Sequence, residues 1–167
     1  MKLIEAMKEL KLIEKKMAKN AQLITKYSAQ PNSERLYFGD AESQKKEIQS
    51  LIQSNLDLAE NYVALKIRIE RTNLETVIEF HGKDLSLAEL LVYKRKIAKA
   101  ILTTFEALDD SSAKMGLMRR SSGEDRAVIE RFYDERTKND KLREWQDFYE
   151  AIDSRLEVVN ATTDLVA

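Results

Sequence analysis

Residues 69–90, "IERTNLETVIEFHGKDLSLAEL", decide the fold, because they separate two long helical segments and resemble neither. The stretch holds the single histidine of the chain. Thr76, Val77, Ile78 and Phe80 favour a strand, His81-Gly82 a turn, and Lys83 to Leu85 a returning strand. Ser86-Leu87-Ala88-Glu89 follows with capping-box spacing, just ahead of "LLVYKRKIAKAILTTF". The reading is a β-hairpin, with the helical pattern broken over about 72–86, that turns the chain and starts a helix running from Leu87 to about Leu108.

On its N-terminal side a helix is expected from about Ala41 to Arg71, with Ile48, Ile52, Asn55, Ala59, Tyr62, Leu65 and Ile69 on one stripe. Asn55 falls on that apolar seam. It reads either as a partly solvated edge residue or as a polar residue fixing register or oligomer state. Before it, Lys2 to about Tyr27 carries Leu3, Met7, Leu10, Ile13, Met17 and Ile24 at the three-and-four spacing of a left-handed seam. Pro31 and Gly39 break the pattern, and Asp40 or Ser43 can cap the second helix.

On the C-terminal side the third helix places Leu87, Leu90, Leu91, Ile97, Ile101, Phe105 and Leu108 on its stripe. "DDSSAKMGLMRRSSGED" reads as a loop over about 109–125, and a short helix is expected from Ala127 to Tyr133. Thr137 to Asp140 has the spacing of another capping box. The last helix then lays Leu142, Trp145, Tyr149, Ile152, Leu156 and Val159 along its seam, with Trp145 expected to be largely buried. All four glycines fall in the expected breaks. The fold class expected is mainly all-α: an elongated antiparallel bundle or coiled coil of about four helices with a small β-hairpin insertion, as a single domain over 1–167.

Composition narrows the function. The 28 basic and 29 acidic residues leave a formal charge of −1, without the basic field of a dedicated nucleic-acid binder. The chain has no cysteine, which excludes disulfide and thiolate chemistry. The N-terminus is charged throughout, and no window approaches the roughly 20 apolar residues of a transmembrane helix. A soluble, cytoplasmic protein is expected.

Catalytic and metal patterns are missing. One histidine cannot supply a His-His metal pair, and there is no HExxH, Walker loop, GxGxxG or GxSxG. His81 reads first as a turn residue. The abundant carboxylates occupy spacings suited to ion pairs on solvated helix faces. No enzyme, metal or cofactor is expected. Two polar clusters remain. Arg71, Thr72, Asn73 and Thr76 lie where the second helix gives way to the hairpin, and Arg119, Arg120, Ser121 and Ser122 lie in the long break. Each reads either as a solvated end or as a cradle for a carboxylate or phosphate, through forked donors and backbone amides. Trp145, Phe148 and Tyr149 read as core rather than as a stacking platform.

Three motifs also carry a resemblance. "MKLIEAM", "IRIERTNLETVIEFHGKDLSLAELLVYKRK" and "IDSRLEVVNATTDL", in that order, resemble a family of small bacterial and phage proteins that carry the name septicolysin. Met1, Lys2, Leu3, Glu5 and Ala6 fit the family's opening; Ile69, Thr72, Asn73, Thr76 and Gly82 its centre; Asp153, Asn160, Thr163 and Leu165 its end. Glu70 and Ala161 depart from it. The family name implies a membrane-active cytolysin, and the resemblance puts emphasis on Asn73, Thr76 and Asn160. The expected function is therefore a non-enzymatic, homo-oligomeric binding or scaffolding protein that takes a small anionic, phosphate- or nucleotide-like ligand. The candidate residues are Arg71, Asn73, Thr76, His81, Arg119, Arg120, Ser121 and Asn160. A cytolysin and a structural coiled-coil component of a phage particle are the alternatives.

Overall fold

The computed structural model describes residues 1–119 and 128–166. It is mainly α-helical with an inserted two-stranded antiparallel hairpin. The described elements are α1 (Leu3–Tyr27), α2 (Ala41–Glu75), β1 (Val77–Phe80), β2 (Lys83–Ser86), α3 (Leu87–Val92), a π-helical turn (Tyr93–Ile97), α4 (Ala98–Glu106), α5 (Ser111–Arg119) and α6 (Glu135–Thr162). Among the described residues, no helix is long and apolar enough to cross a membrane. The contacts fall into two compact units, 1–77 with 159–167, and 78–158.

In the first unit α1 and α2 run antiparallel. Gln44, near the start of α2, donates to the Tyr27 carbonyl at 2.9 Å. Farther along, Asn55 accepts from Asn20 at 3.0 Å and donates to the Met17 carbonyl at 3.2 Å, and the Tyr62 hydroxyl donates to Glu14 at 2.9 Å. Asn55 thus works as a register residue between two helices of the same chain. Leu3, Ala6, Leu10, Ile13, Leu65 and Ile69 are buried, whereas Met7 and Ile52, assigned to the stripes, are exposed. Met7 and Ile52 sit off the arc that faces the partner helix, and their spacing alone could not show it.

Residues 1–3 and 163–165 form an antiparallel clasp. The Leu3 N–H donates to the Thr163 carbonyl and the Leu165 N–H to the Met1 carbonyl, both at 2.9 Å. Lys2 pairs with Asp164 at 2.9 Å and holds that carboxyl below its ordinary range. Thr72 completes the attachment. Its hydroxyl donates to the Arg68 carbonyl at 2.8 Å and accepts from the Val166 N–H at 3.1 Å.

This bonding corrects the expected end of the second helix. The helix continues past Arg71 to Glu75, because Thr72 is fully buried and serves the helical ladder, and the Thr76 N–H closes the last turn on the Thr72 carbonyl. Strand-forming residues take over only at Val77.

In the second unit the hairpin, its turn and the helix start are as expected. Ser86 and Glu89 cap α3 reciprocally, and donation from the Ser86 N–H and hydroxyl holds the Glu89 carboxyl below its usual range. Four boundaries differ. Ser111–Arg119 is a helix, not a loop, and it contains Gly116. Good helix formers surround that glycine, which costs only about 1 kcal/mol, and two aspartates start the helix. Asp109 accepts from the Ser111 N–H, and the Asp110 carboxyl holds Lys114 at 2.8 Å and Arg131 at 2.6 Å. Of the helix expected from Ala127 to Tyr133, Ala127 lies outside the described residues and 128–133 are not helical; Arg131 is used to tie down Asp110. The last helix starts at Glu135, since the Asp134 carboxyl, not the Thr137 hydroxyl, accepts the free N–H. Finally, the third helix ends at Glu106 and is interrupted by the π-helical turn.

Candidate functional site

The second unit contains a recess of about 270 Å³ lined by aromatic side chains from three elements. The hairpin supplies Phe80, His81, Lys83 and Leu85; the π-helical turn supplies Tyr93; α6 supplies Glu144, Trp145 and Phe148. The rings are arranged around Phe148. Trp145 stands 5.2 Å from it, Phe80 and His81 5.4 Å, and Tyr93 5.7 Å, all edge-on. Such tilted contacts suit the ring quadrupoles and hold the walls apart instead of stacking them shut.

Local structure accounts for each wall. His81 and Gly82 form the turn with φ of 50° and 73°, the left-handed region that a two-residue hairpin turn of this kind demands at both positions. A side chain there is uncommon, and histidine tolerates the region better than most residues. The turn sets the His81 ring against Phe80, at 4.6 Å, and against Phe148. The π-helical turn admits one more residue than an α-turn, so both of its first two side chains find partners on α6: Tyr93 meets Phe148, and Lys94 pairs with Asp153. Phe80 is buried and anchors the floor, whereas Tyr93, Trp145 and Phe148 are half-buried and His81 is exposed. Trp145, expected from its seam position to be largely buried, keeps part of its surface exposed at the recess.

Charge at the recess is sparse. Glu144 is held by Lys141 at 2.6 Å. Lys83 makes no ion pair among the described residues. A second, more open concavity on the same π-helical turn is lined by Lys94, Arg95, Lys99, Leu102 and Tyr149. No group of histidine and carboxylate side chains suited to a metal ion is found among the described residues.

The residues singled out in the sequence are distributed over both units. Arg71, exposed, and Asn73, buried, lie on the last turns of α2; Thr76 is the C-cap of that helix; Asn160 is half-buried near the end of α6. All four belong to the first unit. His81 and Arg119 belong to the second, with Arg119 exposed at the end of α5. Arg120, Ser121 and Ser122 lie outside the described residues. Among the described residues of the set, His81 alone lines the aromatic recess. Phe80, Lys83, Tyr93, Trp145 and Phe148 were not in it. Their available signal was the histidine in a two-residue turn directly after Phe80, together with Trp145 and Phe148 three apart on one helix face.

The residues carrying the septicolysin resemblance do structural work: Leu3, Ala6, Thr72 and Leu165 are buried, Thr163 joins the clasp and Asp153 pairs with Lys94. No family model, curated protein or solved structure matches the chain.

Proposed function

We propose that this chain is a self-associating, non-enzymatic helical binding protein whose aromatic recess takes a small flat ligand bearing an acidic group. One observation carries the reading. Five ring side chains converge around an open volume, and four of them keep part of their surface in contact with solvent. Rings serving only as core would close on each other. A volume of about 270 Å³ lies just under the range of roughly 300–1,000 Å³ for drug-sized ligands, which favours a one- or two-ring molecule. Lys83 is the group that would meet the acid, and Arg95 and Lys99 keep the neighbouring surface basic. His81 serves as a wall in this reading, since its ring contacts are aromatic. A cytoplasmic setting belongs to the same proposal, as does membership of the septicolysin-like family, which rests on the three motifs.

Trp145 is the only tryptophan, so its fluorescence reports the recess directly. Benzoate and phenyl phosphate serve as acidic probes, with benzyl alcohol as the neutral one. Saturable quenching by the acids is expected, abolished in Phe148→Leu. Lys83→Gln should weaken the acids a few-fold, as for an exposed charge contact, and leave benzyl alcohol unaffected. Absence of saturation, or full binding by Phe148→Leu, overturns the reading.

A further inference from the structure

The long helix α2 carries a second apolar line besides the one that faces α1. Ile52, Leu56, Val63, Ile67 and Leu74 are 46%, 57%, 56%, 54% and 65% exposed. At 100° per residue these five positions fall within about 60° of the helix circumference. They recur by elevens, 52 to 63 to 74 and 56 to 67. An 11-residue repeat is 3.67 per turn, close to the natural period, so the line runs nearly straight for roughly 33 Å from Ile52 to Leu74. The polar register residues are not on it, since Asn55 and Tyr62 are engaged with α1.

We infer that this line is the seam on which two copies of the chain associate. The inference rests on the self-association half of the proposed function and is independent of the aromatic recess. The five side chains present on the order of 500 Å² of apolar surface, as large as the main patch of a typical monomer. Closing the flanking stems of Gln53, Glu60 and Lys66 over them brings each copy towards the roughly 800 Å² per partner of a specific interface. A second α2 is the surface that presents the same straight repeat over the same length, and a two-fold contact needs only one such self-complementary patch. The flanks argue against a lipid surface as the occupant. Glu70 falls within the arc and is paired with Lys66 at its edge, and Glu60 and Arg71 flank the other side, so the charges along the line are mixed, where an interfacial helix carries mainly lysine and arginine.

Sedimentation equilibrium of the full chain at micromolar concentration is expected to give twice 19.3 kDa. Val63→Glu with Ile67→Lys is expected to give 19.3 kDa with unchanged helical circular dichroism. A conservative second variant guards against misfolding. Val63→Cys introduces a single thiol into a cysteine-free chain and is expected to form an interchain disulfide under mild oxidation. A monomeric wild type, a charged variant that stays dimeric, or failure of Val63→Cys to cross-link in a dimeric sample each overturns the seam. So does wild type that is monomeric in buffer and co-floats with anionic liposomes. Benzoate quenching of Trp145 in the monomeric variant keeps the two readings separable: it persists whether or not the seam is correct.

Discussion

Asn55 is half-buried on α2, with its amide bonded at both ends to α1: Oδ1 accepts from Asn20 and Nδ2 donates to the Met17 carbonyl. Asn20 also reaches Ser54 at 3.2 Å, so the pair fixes how far one helix slides along the other. Asn55→Ala is expected to cost about 1–2 kcal/mol in urea denaturation, and Asn20→Ala a similar amount. Because they share one network, the double variant should lose clearly less than the sum. Strict additivity would remove the register role. Thr72 makes the same point over a greater distance. Its residue type and position near a helix end were legible in the sequence. Its partner, the Val166 N–H, is 94 residues away and was not. Thr72→Val keeps the shape, strands that N–H, and is expected to cost about 1–3 kcal/mol. A polar residue at a helix end announces that some group is satisfied there; the identity of that group depends on which segment the fold brings alongside.

Elements whose signals lie within a few residues were readable. The hairpin, its two-residue turn and the Ser86–Glu89 box are all local, and all were legible. The π-helical turn was not, because "YKRKI" is ordinary helix-forming sequence until Tyr93 and Lys94 each find a partner on α6. The start of α5 was missed for a related reason: its capping aspartates stand ahead of a glycine-containing stretch, and one of them depends on Arg131 far along the chain. Helix starts also set the acid response. Donation from helix-start amides and hydroxyls holds Asp40, Glu89, Asp109 and Asp134 below their ordinary range. Hydrogen bonds from Lys114, then Arg131, hold Asp110 down to about 2. A lowered carboxyl contributes stability above its unfolded value and loses it as pH falls through its folded value. Helix content should therefore decline below the ordinary aspartate value of 3.8, with the Asp110 contribution lasting to about 2. Asp110→Asn should flatten that part of a circular dichroism titration. An unchanged acid profile in this variant would contradict the assignment.

At the scale of the whole chain, the mainly helical class and the inserted hairpin were legible, and the candidate site was legible only at His81. Periodicity put Trp145 and Tyr149 on a buried seam; it could not show that the hairpin turn sets His81 against Phe148 beside them. Native Trp145 emission is accordingly expected between the extremes for buried and water-exposed indole, and shifts towards the exposed value in Phe80→Ala. The clasp between residues 1–3 and 163–165 has a separate consequence. Its paired backbones put the two ends of the described chain side by side, so a short glycine-serine linker can join them and the chain can be reopened elsewhere. Asn32 and Ser33 are exposed in the connection between α1 and α2 and offer the place. A circular permutant beginning at Ser33 is expected to keep its helix content and to differ in stability by on the order of 1 kcal/mol, the scale of altered loop closure. In that permutant α2 would leave the ribosome first and α1 last, so comparing its refolding rate with that of the parent measures whether the α1–α2 pair forms early because its helices are neighbours in sequence or because their surfaces match.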